Sequence, residues 1–292
     1  MPLDFTVLAD LKCRIGESPV YDDRADLLYF VDILGRRIYA MRLRNSELRS
    51  WDFESEVGSL GLASSGRLVV ALRDRVILFD PVSEARQELC TIEADRPETR
   101  LNDGKVGPDG AFWVGSMDDR PDKSAIGSLY RVDGAGRVER KVEGIVVSNG
   151  LAWRAEGERM YHADSRGPWI DLWEFDRWTG GISNRRRFAE PSEIGRPDGG
   201  ACDAEGFYWS AGVSAGRLNR FAADGTLAQS YQVPVPAPTM PCFGGADYRT
   251  IFLTSLREGK APELLQSAPA SGGLLAAEAP VAGFAAWRFL DR

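Results

Sequence analysis

The sequence predicts an all-β chain folded as a six-bladed β-propeller, on three observations. A motif recurs along the chain at a spacing of roughly 40 to 50 residues, the period at which internal repeats signal propeller blades. Between the motifs lie short alternating or β-branched runs bounded by Gly, Asp, Asn or Pro, as antiparallel strands are. No amphipathic 3.6-residue pattern of more than about two turns competes with them.

The units follow in order along the chain. Glu17 opens the first, with "SPVYDDRADLLYFVD" placing Tyr29 at the aromatic position. Gly58 with Ser65-Gly66 marks the second, and "RLVVALRDRVILFD" supplies its strands. Asn102 with Asp109-Gly110 and Trp113, Asn149 with Glu156-Gly157 and Tyr161, and Asp198 with Glu205-Gly206 and Trp209 mark the next three. Their strands include "GSLYRV", "LWEFD" and "GRLNRFAADG", and "CFGGADYRTIFLTS", with a turn at Tyr248 to Thr250 and an aromatic at Phe252, gives the sixth. A length of 292 residues suits one large all-β domain, so residues 1–292 are expected to form a single propeller. The amino-terminal "FTVLADL" and carboxy-terminal "AAWRFL" are expected to complete one shared blade.

Composition narrows the chemistry. An apolar fraction of 43% with eight tryptophans supports a large core, and the tryptophans at 113, 153, 173, 178 and 209 are read as blade packing. A net charge of −7 argues against a nucleic-acid surface, and the basic run Arg185-Arg186-Arg187 reads as a solvated turn between strands. No apolar stretch is long enough to cross a membrane and the amino terminus lacks a leader pattern, so a cytoplasmic protein is expected. Four scattered cysteines make no Cys-x-x-Cys pair and are expected to be buried free thiols. The only histidine, His162, is expected to be a hydrogen-bonded strand residue; one histidine removes a multi-histidine metal site and leaves almost nothing for a Ser-His-Asp arrangement. Any hydrolytic chemistry must then use carboxylates, amides or a metal held by oxygen.

A repeat places equivalent positions around one axis, so Glu17, Gly58, Asn102, Asn149 and Asp198 should converge on one mouth of the central channel. Two carboxylates and two carboxamides offer hard oxygen donors, which favour Ca²⁺, Mg²⁺ or Mn²⁺ and remain compatible with Fe²⁺ or Zn²⁺. Three or four such ligands leave coordination positions open for water and substrate. Asn-Gly and Asp-Gly are also ordinary turn sequences, but the turns between strands are already supplied seven residues later.

The segments "IGESP", "RLNDGKVGPDGAFWVGSM", "VVSNGLAW", "YHADS", "GRPDGGACDAEG" and "PCFGGADYRTIFLTS" resemble the ordered motifs of the senescence marker protein/gluconolactonase/regucalcin-like family of sugar lactonases, from Ile15 to Ser255. The resemblance implies one divalent ion in the channel mouth and hydrolysis of a lactone ring. It implies Glu17, Asn149 and Asp198 as metal ligands and Arg100 and Asn102 as substrate contacts. Asp119, in the polar loop "DDRPDKSAIG" that falls where relatives carry a variable loop over the mouth, joins them as a substrate-binding candidate.

The chain departs from the family pattern in two places. Ser18 stands where Gly is usual and is expected to stiffen its turn, and Gly199-Gly200 replaces one Gly and a larger apolar residue and is expected to enlarge the pocket. Asp164 is a candidate to support the ion from behind its ligands, and Cys242 to fill space near the channel. The expected reaction is metal-dependent opening of an aldonolactone in carbohydrate catabolism, with a small-molecule sugar lactone as substrate and the protein a monomer, and with Asp198 as general base or a water activated by the ion as nucleophile. Two other readings stay open: an organophosphate or ester hydrolase, and a calcium-binding regulator without turnover.

Overall fold

The computed structural model describes residues 2–191 and 193–291; Met1, Ser192 and Arg292 lie outside it. Six four-stranded antiparallel sheets form the blades of a propeller. The first strand of each blade is the innermost: Gly16–Asp22, Val57–Leu62, Thr99–Val106, Ser148–Trp153, Pro197–Cys202 and Pro238–Gly244. Successive innermost strands are neighbours around the ring. Burial falls from the axis outwards. Val57–Leu62 and Ser148–Trp153 are wholly buried, whereas the outer strands Glu47–Asp52 and Arg86–Thr91 are mostly exposed.

Each of the six hydrophobic clusters lies between two adjacent blades. Trp51 and Phe53 of blade one pack on Phe79 of blade two, and Trp113 of blade three meets Trp153 and Phe175 of blade four. A blade alone would leave both sheet faces wet, so packing and ring closure are one event. Trp113, Trp153 and Trp209 are buried as expected, but Trp178 is 85% exposed. It sits at the turn after Trp169–Asp176, beyond the reach of the next blade. The Arg185–Arg187 run is not a turn either. It lies within the outer strand Gly181–Ala189, where Arg185 and Arg187 both pair with the buried Asp171.

Only the first half of the expected terminal closure is found. Thr6–Ala9 is the outermost strand of blade six, hydrogen-bonded to Leu274–Glu278, so the amino terminus closes the ring. With that edge taken, the carboxy-terminal segment goes elsewhere. It crosses the end of the channel remote from the strand starts, with Phe284, Ala286 and Trp287 lining an axial cavity of about 90 Å³. Phe289 pairs in parallel with Ala63 and is fully buried among side chains of blades two and three. Asp291 then accepts hydrogen bonds from Ser64, Ser65 and Arg67.

A buried strap of this kind has a measurable cost of removal. Phe289→Ala should destabilise the protein by about 3–5 kcal/mol in denaturant melts, the usual range for truncating a core phenylalanine, while Trp178→Ala should change stability by less than about 0.5 kcal/mol. Equal effects from the two substitutions would show that the strap is not part of the core.

Candidate functional site

The innermost strands share a defect that makes the site. In every blade the pairing of first and second strand shifts register in the same frame: between Glu17 and Val20, Val57 and Ser59, Leu101 and Gly104, Asn149 and Ala152, Pro197 and Gly200, and Pro238 and Pro241. A bulge inserts a residue, bends the strand and re-aims its side chain. The recurrent positions Glu17, Gly58, Asn102, Asn149 and Asp198 all fall within these bulges, and the sixth blade contributes Thr239.

Hydrogen bonds and close contacts link these bulges around the ring. The Ser18 hydroxyl accepts from Leu60 N–H at 2.9 Å, joining blades one and two. Gly58 packs against the backbone of Leu101 and Asn102, and Asn102 Nδ2 donates to Ser148 O at 2.9 Å and to Asn149 Oδ1 at 3.2 Å. Asn149 Nδ2 donates to Ser165 Oγ at 2.7 Å, and that hydroxyl donates to Pro197 O at 2.6 Å. Thr239 Oγ1 donates to Gly16 O at 2.5 Å, linking blade six to blade one.

Ser18 occupies the left-handed region with φ 50°, where a glycine would be free of strain. Its N–H donates to Glu17 Oε2 at 2.7 Å, so its backbone conformation helps to hold the carboxylate while its hydroxyl stitches two blades. The expected enlargement at Gly199-Gly200 does not occur. A side chain on Gly199 would strike Met240, and one on Gly200 would come within 2.4 Å of the Tyr208 hydroxyl, so both sites are already filled by neighbours.

Glu17 and Asp198 are both less than a tenth exposed and sit within electrostatic reach of each other and of Asp103. Burial, then Asp198 and Asp103, push the Glu17 carboxyl well above the usual carboxylate range. Burial, then Asp103, push Asp198 up to about 8. No described residue donates a hydrogen bond to the Asp198 carboxylate, and Asp103 Oδ1 is buried without a partner. Among the described residues no three His, Cys, Asp or Glu side chains form a metal-binding group by themselves. The donor set fits a divalent cation through Glu17, Asp198 and the Asn149 carboxamide oxygen, because such an ion would relieve a repulsion that the fold leaves unsatisfied.

Asp103 and Lys105 were not among the residues singled out in the sequence. Burial raises the Asp103 carboxyl, partly offset by Lys105; burial lowers the Lys105 amine, which lies between the carboxylates and the axial cavity and donates to Gly200 O at 2.6 Å. A signal for Asp103 existed: blades four and five carry Gly150 and Gly199 at the position after the frame residue, where blade three carries a carboxylate. Thr239 lacked even that, because its turn has no Gly eight residues later.

Arg100, Asn102 and Asp119 come together on one side of the mouth. Arg100 Nη1 donates to Asn102 Oδ1 at 2.8 Å, and Arg100 Nε to Asp119 Oδ1 at 3.2 Å. Arg73 holds the other Asp119 oxygen at 2.9 Å. Among the described residues Arg100 Nη2 has no partner, whereas both amide hydrogens of Asn102 are engaged. His162 accepts or donates at Ser148 Oγ over 2.8 Å, and burial pushes its imidazole down to about 3, so it stays neutral. Asp164 binds the backbone N–H groups of Val146, Val147, Arg166 and Gly167 and shapes the loop before Ser148 rather than the site itself. Cys242 is buried beside the cavity, as expected.

A sequence model of the family described as SMP-30/Gluconolactonase/LRE-like region matches residues 15–257. The chain is 36% identical to 6-deoxy-6-sulfogluconolactonase of Pseudomonas putida, covering 94% of this chain and 97% of that protein. It is 32% identical to regucalcin of Macaca fascicularis, covering 90% of each. The fold superposes with a TM-score of 0.94 on the crystal structure of a calcium-binding protein, regucalcin, from Agrobacterium tumefaciens, at 26% identity and with 99% and 98% of the two chains covered.

The carboxylate repulsion predicts a pH dependence. Asp198 ionises near its ordinary 3.8 when unfolded and near 8 in the folded, ion-free protein, so the folded state holds more protons between those values. Thermal stability of chelated protein should therefore fall as pH rises through that window. Asp198→Asn should flatten the fall, and a divalent cation should raise the melting temperature of the wild type but not of this variant. A wild-type pH profile in Asp198→Asn would remove the residue from the cluster.

Proposed function

The chain belongs to the SMP-30/gluconolactonase/LRE-like family and is a lactonase, and on that premise we propose that it hydrolyses an aldonolactone to the aldonic acid with one divalent ion held by Glu17, Asn149 and Asp198. The observation that carries the reading is the buried, only partly compensated carboxylate cluster at the channel mouth, with an arginine and a carboxamide beside it. When bound, the ion would polarise the lactone carbonyl and stabilise charge developing on its oxygen.

The chain's own residues do the rest. Asp198 is placed to receive a proton from the attacking water; an ion held by its carboxylate would make it a weaker base, and a water activated by that ion is the alternative nucleophile. Arg100 is fixed by Asp119 and Asn102, which leaves its Nη2 edge to bind substrate hydroxyls or the carboxylate of the product. Asn102, whose amide donates to the Asn149 oxygen, would steady that ligand and offer its own remaining carbonyl lone pair to the substrate. Asp119 lies at the rim with its oxygens toward Arg100 and Arg73, and accepts from a sugar hydroxyl there. We place the activity in carbohydrate catabolism, in a cytoplasmic monomer whose full length acts as one domain. Calcium is the favoured ion, as the oxygen-only donor set suits it.

Acid release from a panel of pentono- and hexono-lactones, with and without chelator and with Ca²⁺, Mg²⁺, Mn²⁺, Fe²⁺ or Zn²⁺ added back, tests this. Glu17→Gln and Asp198→Asn should each lower kcat by at least about a hundredfold with the fold retained by circular dichroism, in line with losing a general base or a charge-stabilising ligand. Arg100→Ala should act mainly on KM. Failure of every lactone to open above background with any ion would leave calcium binding without turnover as the reading to pursue.

A further inference from the structure

The loops that enter the innermost strands and those that leave the second strands all lie on the mouth side of the propeller. Arg196 immediately precedes Pro197–Cys202, and Lys260 follows Thr250–Ser255 just before the short helix Pro262–Ser267. Their loops share one sector of the rim. Val213 N–H donates to Arg196 O, Arg196 N–H donates to Ser214 Oγ at 2.9 Å, and a cleft next to Ser214 and Ala215 is walled by Leu264 and Ala268 of the helical segment.

Both side chains are half-buried, and Lys260 is so although Glu258, Gly259 and Ala261 around it are exposed. Among the described residues neither side chain makes an ion pair or a hydrogen bond. Several other cations of the rim are neutralised: Arg14 holds Glu258 through two bonds, and Arg73 and Arg100 hold Asp119. Lys123 donates to Asp118 O at 2.6 Å. Burial first, and then Arg196, lowers the Lys260 amine below its ordinary value, so the two cations feel one another. Arg196 stands two residues before Asp198 at the entry of the same strand, which puts the pair next to the proposed reaction site. Two half-buried cations that share a sector of the rim and lack an ion pair or hydrogen bond among the described residues are costly in the absence of an anion.

Resting on the lactonase reading, we propose that Arg196 and Lys260 form an anion-binding subsite on the rim, which takes a sulfonate, phosphate or carboxylate carried at the end of the sugar lactone remote from the ring carbonyl. The guanidinium supplies a planar fork for two oxygens and the ammonium a point charge for the third. The enzyme then discriminates among lactones by their terminal group.

The test compares hydrolysis of glucono-δ-lactone with that of the same ring bearing a terminal sulfonate, phosphate or carboxylate. At least one charged lactone should exceed the neutral one in kcat/KM by about tenfold or more, the usual worth of a hydrogen bond to a charged group. Lys260→Gln should lose that advantage through KM while changing neutral hydrolysis less than about twofold, and Lys260→Arg should restore most of it. Added salt should narrow the gap. Neutral hydrolysis with no preference for any charged lactone, or a preference untouched by Lys260→Gln, overturns the subsite and leaves the lactonase reading standing. Should no lactone be hydrolysed at all, calorimetry with the open-chain 6-sulfonated hexonic acid decides the subsite separately: binding that Lys260→Gln weakens supports it, and no binding overturns it.

Discussion

Three carboxylates, Glu17, Asp103 and Asp198, repel one another at the mouth of a closed ring, and the architecture is arranged to hold them there. Each is withdrawn from water, and two of the three come from strands on opposite parts of the chain. Such a cluster raises the energy of the folded state unless a cation joins it. The six blade-to-blade hydrophobic clusters and the amino-terminal strand closing blade six supply the opposing stability. Strain is thereby concentrated where a ligand can relieve it.

The same economy of design shows in the bulges. A propeller's innermost strands could run without interruption, and a regular strand would alternate its side chains between the two faces of its blade. One shifted pair per blade interrupts that alternation at the recurrent position, and hydrogen bonds or close contacts between neighbouring blades hold the bulges around the ring. Ser18 illustrates the coupling. Its left-handed backbone presents an N–H to the Glu17 carboxylate while its hydroxyl bonds to the next blade, so a substitution there would alter the packing of two strands and the position of that carboxylate together.

Charge is distributed unevenly over this frame. The chain is acidic as a whole, yet the rim carries Arg14, Arg73, Arg100, Arg196 and Lys260. Some are tied down by Asp119 or Glu258, whereas Arg196 and Lys260 have no such partner among the described residues. An acidic centre ringed by selectively neutralised cations suits a substrate that becomes an anion on hydrolysis, because the product's charge develops between them.

The sequence by itself determined the number of blades, the frame of each and the residues at the mouth, because a repeat forces equivalent positions into equivalent places. Glu17, Asn102, Asn149 and Asp198 were legible on that ground, and Arg100 and Asp119 through the motifs around them. Other features were decided by the tertiary structure. Asp103 and Lys105 looked like turn and strand residues until burial beside Glu17 and Asp198 gave them an electrostatic part. The carboxy-terminal strap could not be placed from its apolar pattern, since a strand and a buried crossing segment show the same hydrophobicity. Gly200 was misjudged for a related reason: a missing side chain opens space only if no neighbour fills it, and Tyr208 from the adjoining strand does. Local pattern specifies which residues seek the axis, whereas which groups are left dry, crowded or unpaired there depends on contacts between residues far apart in the chain.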